Sequence, residues 1–531
     1  MGTKRIRKPF DLRKTVAENK HTFCVIALII LGIILRVFEF GNLPAGLNQD
    51  EAFAGYEAYS LMKYGKDSFG YAFPCYLTVW GSGMSVLESY LAIPFIKLFG
   101  LSVFTFRLPM LICACISLPV FYLLLREMFI RNYALIGLSV LAICPWHIML
   151  SRWALDANLA PAFLLFGFYF FVKGTRNNKF FILSALMYGT TLYSYAITWA
   201  VVPMTVALCA AYLLITKQKL MWRYVIISVC VLFVMAIPLI LFVLVNNGYI
   251  GEIKTSFFSV PMMPVMRDSE ISPKNLIDPN CWKSFWSVFY KQNDGLPWNS
   301  VGDFGMFGFI SVPFMIIGVG KVIGVSVEKL KQKVFSYEFL FLLYGLGCVL
   351  CCLMLNQPNI NRINCIHLNT LIFIAVGIAE TVSWVKSGIY IKYAIAVGYF
   401  FVLFSFCGTY YGAYNSEIGE YFNYGAGECI QYVKSLNVDR CAVDSSIFHS
   451  QVLFYDQTPV DEYIETVEYT NYPAAFLSVK SFGKYDFGVD YYSLGEYDAY
   501  IVKSEDTDRF IDFGYMVKPF GNYAVCYSLE N

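Results

Sequence analysis

Three groups of polar residues have the types and spacing that group-transfer chemistry needs. The pair Asp50-Glu51 follows the first long apolar run, and Asp156 lies four residues after Arg152 in a short polar segment. Arg362 lies among asparagines after a later apolar run. A carboxylate can accept the proton of a hydroxyl, and a guanidinium can hold two phosphate oxygens at once. These residues therefore fit the transfer of a group from a phosphate to an alcohol.

Each of these side chains also has a structural explanation. Asp50 and Glu51 open a predicted helix, where acids complement the positive end of the helix dipole. Asp156 suits the N-cap of the following helix equally well. Arg36, near the end of the first apolar run, is a weaker candidate for a phosphate ligand, because arginines at such positions commonly snorkel to the membrane interface. The residues alone leave these alternatives open.

The composition shows what kind of scaffold must position these groups. The chain has 531 residues, of which 57% are hydrophobic and 15% charged, and its mean hydropathy is +0.55. This excludes an ordinary soluble domain and indicates a polytopic membrane protein. The net charge of +2 offers no basic excess for nucleic acid. The sixteen cysteines lie mostly in apolar runs, so we predict no disulfide framework, no metal centre and no cofactor, with a divalent-metal requirement left open.

Apolar runs long enough to cross a membrane, about 20 residues each, predict about eleven transmembrane helices. They lie near residues 22–38, 103–125, 132–150, 159–172, 180–198, 200–216, 224–245, 305–325, 336–355, 366–385 and 391–410. A further run, Val86–Gly100, contains Glu88, Pro94 and Lys97. We interpret it as an amphipathic helix at the outer membrane interface and not as a span.

The basic residues set the predicted orientation, because cytoplasmic loops hold an excess of Lys and Arg. A cytoplasmic N-terminus, residues 1–21, places every basic loop inside, and no cleavage site follows the first run. The inside positions are Arg126, Arg131, Lys173, Arg176, Lys179, Lys217, Lys219, Arg223, Lys329, Lys331, Lys333, Lys386 and Lys392. The loops 39–102, 151–158, 246–304 and 356–365 and everything after Tyr411 then lie outside. We expect this arrangement in the plasma membrane.

The chain changes character at about residue 411. Residues 411–531 hold 19 acidic and 7 basic side chains, with alternating stretches at Asp498–Val502 and Tyr523–Ser528 and a helical pattern at Gly427–Leu436. They predict a small extracytoplasmic α/β domain that folds separately and carries no essential catalytic group. The membrane domain is predicted to span residues 22–410, so the fold class is an all-α polytopic membrane protein with a small α/β domain at its C-terminus.

Several motifs in order along the first 410 residues resemble the GT-C superfamily of polyprenyl-phosphate-sugar glycosyltransferases, in the branch of protein O-mannosyltransferases and aminoarabinose transferases. The motifs are Asp50-Glu51, Phe99-Gly100…Phe106-Arg107-Leu108-Pro109, Arg152…Asp156-Ala157-Asn158, Tyr193-Ser194-Tyr195 and Asp294-Gly295-Leu296-Pro297-Trp298.

The resemblance implies a transferase that moves a hexose or pentose from a polyprenyl-phosphate donor, with inversion, to an extracytoplasmic protein, lipid or cell-wall glycan. It makes Asp50 the base, with Glu51 and Asp156 shaping the site. We expect Arg152, Arg362 and Arg36 to hold the donor phosphate, because guanidinium matches its oxygens. The predicted substrate-binding residues are Tyr56, Asn158, Tyr193, Tyr195, Asp294, Trp298 and Asn361.

Two other classes of protein share part of this pattern. A transporter or flippase for a lipid-linked solute also combines many spans with few charges, but such proteins often show repeated halves and broken helices. Here no internal repeat is visible, and the acids cluster in loops on one side. A receptor or assembly subunit would leave the acids of the loops unexplained. The transporter is therefore the main alternative.

Overall fold

The computed structural model describes residues 19–129, 131–266, 271–385, 388–436 and 438–528. Most of the predicted cytoplasmic N-terminus and Lys386 of the predicted basic loops lie outside these ranges.

Helices form most of the chain up to Tyr410. In chain order they are α1 (Lys20–Val37), α2 (Gln49–Tyr64), α3 (Leu87–Phe99), α4 (Val103–Met128), α5 (Arg131–Ala142), α6 (Pro145–Leu150), α7 (Asp156–Arg176), α8 (Phe180–Thr191), α9 (Thr198–Ile215), α10 (Trp222–Asn246), α11 (Pro279–Lys291), α12 (Ser311–Lys331), α13 (Tyr337–Cys352), α14 (Asn364–Ser383) and α15 (Gly388–Tyr410). Among the described residues, 8 helices are long and apolar enough to cross a membrane, and three shorter apolar helices accompany them. Each of the eleven predicted runs overlaps one of these helices.

One predicted span is broken in the structure. The run 132–150 divides into α5 and the short α6, and Cys144 between them has an extended backbone (φ −67°, ψ 118°). Pro145 is the cause, because proline disfavours the helical conformation of the residue before it and is well tolerated at the first position of a new helix. The break turns the chain just before the polar segment that holds Arg152 and Asp156.

The tightest helix pair of the bundle is α12 and α14. A Cβ at Gly318 would lie 1.8 Å from the carbonyl oxygen of Phe373, and a Cβ at Gly377 would lie 1.8 Å from that of Phe314. Small residues at such crossings let two backbones touch, which is how helices commonly associate in membranes. This contact joins the two helices along the second half of α14.

The loops predicted to lie outside meet at one end of the bundle. Pro74 pairs with Ser259, and Ile271 pairs with Leu355. A two-stranded ribbon of β1 (Ile253–Lys254) and β2 (Ser259–Val260) lies in the same region. The predicted helix at Val86–Gly100 is present as α3, packed against α2 and α4. Its location at a membrane interface stays a prediction.

The tail forms a seven-stranded mixed sheet in the order β4-β5-β6-β3-β7-β9-β8. Its elements are α16 (Tyr414–Tyr421), α17 (Ala426–Ser435), β3 (Cys441–Val443), α18 (His449–Asp456), α19 (Val460–Thr466), β4 (Glu468–Tyr469), β5 (Val479–Phe482), β6 (Tyr485–Phe487), β7 (Ala499–Lys503), α20 (Asp508–Asp512), β8 (Met516–Phe520) and β9 (Tyr523–Tyr527). The central strand β3 runs parallel to β6 and β7, and the remaining pairs are antiparallel. The predicted α/β character is confirmed.

This C-terminal domain shares its core with the first large loop of the membrane domain. Helix α18 packs along α2, and one hydrophobic cluster joins Phe53 of α2 to Ile430, Val443 and Phe454 of the tail. The domain boundary near residue 411 remains a prediction. Helix α2 also carries Asp50, one of the predicted site residues.

Candidate active site

The two acids at the N-terminus of α2, Asp50 and Glu51, point in different directions. Asn48 has an extended backbone and caps the helix: its side-chain oxygen accepts from the Asp50 amide at 2.9 Å, and Glu51 Oε2 accepts from the Asn48 amide at 3.2 Å. Successive residues of a helix are about 100° apart around its axis. As a result, Glu51 points into the protein and Asp50 points toward a cavity.

Glu51 is a structural acid. Both of its oxygens accept from Arg107, with Nε–Oε1 and Nη2–Oε2 distances of 2.8 Å, and both side chains are fully buried. The backbone amide of Ala154 donates to the same carboxylate at 2.6 Å. The ion pair thus fastens α2 to α4 and to the segment before Asp156. Glu51 lies behind the cavity lining without reaching it, and its predicted role in shaping the site stays a prediction.

The cavity has a volume of about 750 Å³ and is open on one side. Two carboxylates, Asp50 and Asp156, line it together with Arg362. The remaining lining comes mainly from aromatic, amide and small apolar residues: Asn48, Gln49, Tyr76, Trp80, Ser82, Gly83, Met84, Trp153, Leu155, Ala157, Tyr195, Ala196, Trp199, Ala200, Phe242, Met266, Ile271, Leu296, Trp298, Leu355, Asn359, Asn361 and Phe476. Such a mixture of apolar walls and few charged groups is typical of a ligand site.

The two cavity carboxylates are held differently. Trp80 donates its indole N–H to Asp50 Oδ1 at 2.9 Å. Asp156 is the first residue of α7, and its Oδ1 accepts from the Ala157 amide at 2.7 Å. Asp156 is thus the first helical residue and not the N-cap that its sequence context suggested, since Leu155 is the N-cap, and it lies on the cavity surface.

Arg362 reaches the cavity on a loop between α13 and α14. Its Nη1 donates to the Asn356 carbonyl oxygen and its backbone amide donates to Asn359 Oδ1, both at 2.9 Å. Asp294 braces this loop, because its Oδ2 accepts from the Ile360 amide at 2.9 Å and from Asn299 Nδ2 at 2.7 Å. Burial raises the pKa of the Asp294 carboxyl. Asp294 is thus a support for the arginine and lies behind the cavity lining.

Two predicted phosphate ligands lie elsewhere. Arg36 is fully buried, and its guanidinium donates to the carbonyl oxygens of Gly32, Leu141 and Ala142 at 2.7–3.0 Å. It neither snorkels nor lines the cavity. Arg152 is also fully buried.

The guanidinium of Arg152 donates to the carbonyl oxygens of Leu43 and Arg36 at 3.2 and 3.0 Å, and it lies 5.5–5.7 Å from the ring centroids of Tyr410 and Tyr411. Both predicted roles are therefore corrected, because these arginines stabilise carbonyl groups where helices end.

Three predicted substrate contacts are internal hydrogen-bonding residues instead. Tyr56 donates to the Thr458 carbonyl oxygen at 2.8 Å, and Tyr193 donates to that of Met235 at 2.6 Å. Asn158 is buried and accepts from Asn364 at 2.8 Å. Of the predicted substrate set, Tyr195, Trp298 and Asn361 line the cavity.

Sequence reasoning missed most of the cavity lining, and three side chains at the site are notable among the missed residues. Trp80 and Phe476 line the cavity, and Glu88 is fully buried behind it. Burial raises the pKa of the Glu88 carboxyl well above its usual value, and the charges of Glu51 and Asp156 raise it further. An acid in the apolar run Val86–Gly100 was the available signal for Glu88. Nothing local marks Phe476, which lies 426 residues after Asp50.

Within the described residues, no three His, Cys, Asp or Glu side chains come together in a way that would hold a metal ion.

Comparison with known proteins agrees with this arrangement. Residues 85–244 match the model of the dolichyl-phosphate-mannose-protein mannosyltransferase family. ArnT from Cupriavidus metallidurans in the apo state has a similar structure, with a TM-score of 0.55 and 11% identity over 96% of this chain and 98% of that chain. This chain therefore shares the fold of ArnT. The predicted resemblance is confirmed at the level of the fold and of the segment that matches the family model.

Two further solved structures have a similar fold. ArnT bound to undecaprenyl phosphate gives a TM-score of 0.53 at 11% identity, covering 97% of this chain and 99% of that chain. The Archaeoglobus fulgidus oligosaccharyltransferase in complex with Zn and sulfate gives 0.52 at 11% identity, covering 81% of this chain and 61% of that chain. No curated protein matches the sequence significantly. At these identities the GT-C comparison concerns the fold, and the chemistry has to be argued from the cavity.

Proposed function

We propose that this protein is a membrane glycosyltransferase that moves a hexose or pentose from a polyprenyl-phosphate donor to a hydroxyl of an extracytoplasmic protein, lipid or cell-wall glycan. One observation carries the proposal: a helix-terminal carboxylate, Asp50, and an arginine, Arg362, line the same cavity. They come from segments about 300 residues apart, and the reaction needs both a proton acceptor and a cation beside the phosphate.

In the proposed reaction the acceptor oxygen attacks the anomeric carbon of the donor while Asp50 takes the hydroxyl proton. The bond between the anomeric carbon and the phosphate oxygen breaks, and polyprenyl phosphate leaves with the bonding electrons. An alcohol is a poor acid, so a base is needed to remove its proton as the oxygen attacks. The phosphate is a stable anion and needs no proton, but it does need the positive charge of Arg362. Attack from the opposite face inverts the anomeric centre.

Other lining residues fit the remaining parts of the two substrates. Asp156 at the start of α7 and Asn361 beside Arg362 offer hydrogen-bonding groups for sugar hydroxyls. Trp199, Ala200 and Phe242 give the cavity an apolar side, which suits the first isoprene units of the donor. Burial of this hydrocarbon stabilises the complex without fixing the identity of the sugar.

The proposed orientation places the cavity outside the cytoplasm, at the plasma membrane. It follows from the basic loops, which belong inside. Reporter fusions after Ser416 test it, and a cytoplasmic reporter signal there would overturn the proposed sidedness.

The decisive experiment is Asp50→Asn in purified protein, with turnover measured as release of polyprenyl phosphate from a panel of lipid-phosphate sugars. The amide keeps the size of the side chain and accepts the Trp80 hydrogen bond, but it cannot take a proton. We expect turnover to fall roughly 10²–10⁴-fold with donor binding retained. Asp278→Asn is the matched control, because it makes the same change at the N-cap of α11, outside the cavity lining. Near-normal turnover of Asp50→Asn would exclude this residue as the base.

A further inference from the structure

Trp80 holds Asp50 from a strained position. Its indole N–H donates to Asp50 Oδ1 at 2.9 Å. Its backbone has φ of 62°, in the left-handed region that a bulky side chain rarely adopts. Such conformations persist where surrounding contacts impose them, and they cluster at functional sites. The contacts that impose this one identify what controls the position of the base.

The turn itself supplies some of those contacts, such as the hydrogen bond from the Gly81 amide to the Thr78 carbonyl oxygen at 3.1 Å, and the C-terminal domain supplies others. The backbone amide of Leu477 donates to the Trp80 carbonyl oxygen at 2.8 Å. The next residue, Gly81, pairs with Phe476, and a Cβ at Gly81 would lie 2.3 Å from the carbonyl oxygen of Ala474. A segment of the tail therefore lies directly against the backbone that carries the Trp80 ring.

Aromatic side chains of the same domain surround the indole. The ring centroids of Phe448, Phe476 and His449 lie 5.9, 6.1 and 6.5 Å from that of Trp80. Phe53 of α2 completes the group at 4.7 Å, edge-on. These distances are those of favourable aromatic pairs. Phe476 also lines the cavity itself with 55% of its surface exposed.

The tail also holds the backbone just before the base. Ser450 Oγ donates to the Gln49 carbonyl oxygen at 3.1 Å, and Gln451 Nε2 donates to that of Leu47 at 2.6 Å. Both donors lie on α18, the helix that packs along α2. The C-terminal domain thus holds Asp50 in two ways. It binds the backbone just before Asp50, and it packs against Trp80, which binds the Asp50 side chain.

We propose that Trp80 is a positioning residue for Asp50, and that the C-terminal domain supports the catalytic base by holding Trp80 in place. The inference rests on the proposed function of Asp50. The tail was expected to carry no essential catalytic group. The proposal gives it the role of orienting the catalytic base. A small misplacement of a reacting group can slow a reaction strongly, so the hydrogen bond that fixes the Asp50 carboxylate matters for the rate.

The test is Trp80→Phe, which keeps a packed ring and removes the N–H donor. We expect kcat to fall about 10-fold or more, with unchanged donor affinity and an unchanged melting temperature. In the Asp50→Asn background the same substitution should have little further effect, because the group that it positions is already inactive. Trp286→Phe on α11 is the matched control, since that indole is half-exposed and outside the cavity lining.

The possible results separate the inference from the proposed function. Normal turnover of Trp80→Phe alongside an inactive Asp50→Asn would overturn the positioning role and leave the proposed base intact. Normal turnover of Asp50→Asn would overturn both. A Trp80→Phe variant with weaker donor binding and unchanged kcat would make Trp80 a substrate contact, which also overturns positioning. If Trp80→Phe does not fold, Phe476→Leu decides instead: it leaves Trp80 in the chain, and a several-fold loss of kcat without loss of donor affinity is expected.

Discussion

The two walls of the cavity are built in different ways. The base wall, Asp50 with Trp80, belongs to a core that α2 shares with the C-terminal domain and is fastened from behind by the buried Glu51–Arg107 pair. The arginine wall, the loop 356–362, buries Ile360 in the core of the helix bundle, and hydrogen bonds to Asp294 and within the loop hold the rest of it. One wall is packed against the C-terminal domain, whereas the other combines one buried anchor with polar contacts in a loop.

This difference fits what each wall has to do. A base must lie within hydrogen-bonding distance of one proton and along one direction. A guanidinium attracts phosphate over a wider range of positions, and its fork of donors adapts to the oxygens. We therefore expect damage to the base wall to appear as lost stability or lost kcat, and damage to the arginine wall to appear as lost donor affinity.

The largest effect should come from Glu51→Ala. This change leaves the Arg107 guanidinium buried without its carboxylate, and breaking a buried ion pair in this way typically costs about 3–5 kcal/mol. Denaturant unfolding in detergent micelles measures the loss.

Glu468→Ala is the control for Glu51→Ala. Its Lys480–Glu468 pair has almost the same N–O distance, 2.9 Å, but both side chains are more than 60% exposed. Exposed pairs contribute less than about 1 kcal/mol. Equal losses of unfolding free energy for the two variants would mean that the buried Glu51–Arg107 pair stabilises the protein no more than an exposed pair does.

Arg362→Ala should act on affinity. The half-buried guanidinium is proposed to make charge-assisted hydrogen bonds with the donor phosphate, and losing them should weaken donor binding by about 1.5–3 kcal/mol, or roughly 10–100-fold. The unfolding free energy should change little. Equilibrium binding of the polyprenyl-phosphate sugar gives the answer, and Arg362→Lys, which keeps the charge without the fork, should recover part of the affinity. A loss of kcat at unchanged affinity would contradict the role of this wall.

His449 makes the stability of the base wall depend on pH. It is 7% exposed among the rings of Phe53, Trp80 and Phe487, and burial lowers its pKa to about 3. The unfolded chain binds a proton at about pH 6.5, whereas the folded chain does not, so stability falls as the pH drops below that value. The loss at pH 5 should be about 2 kcal/mol. His449→Leu should flatten this dependence between pH 5 and 7 in thermal unfolding, and an unchanged slope would assign it to other groups.

The sequence was sufficient to find the elements and part of the site. Apolar runs predicted the bundle helices, and Asp50, Asp156 and Arg362 meet in the cavity as expected. The arginines show what the sequence pattern does not predict. Arg36 and Arg362 both lie near the end of an apolar run, yet one bonds to carbonyl groups and the other faces the cavity. Spacing along the chain does not determine the direction of a side chain when its neighbours come from distant segments.

The contact between Trp80 and Phe476 could not be predicted from the sequence for the same reason. Their contact joins the first large loop to a turn of the tail, and no periodicity connects them. The expectation of a tail without catalytic groups stays a prediction. The geometry adds a supporting role that composition alone does not reveal.

The smallest expected effect is that of Asp294→Asn, and it tests how far the arginine wall depends on one carboxylate. Asp294 Oδ2 accepts from the Ile360 amide and from Asn299, and Oδ1 accepts from the Leu296 amide at 3.1 Å. An amide has one oxygen, so one of these acceptors is lost, at about 1 kcal/mol for a typical hydrogen bond. The loosened loop should weaken donor affinity several-fold, measured by the same binding assay. In the Arg362→Ala background this effect should largely disappear, because Asp294 is proposed to act through that arginine. Additive losses in the double variant would show that Asp294 supports the cavity by another route.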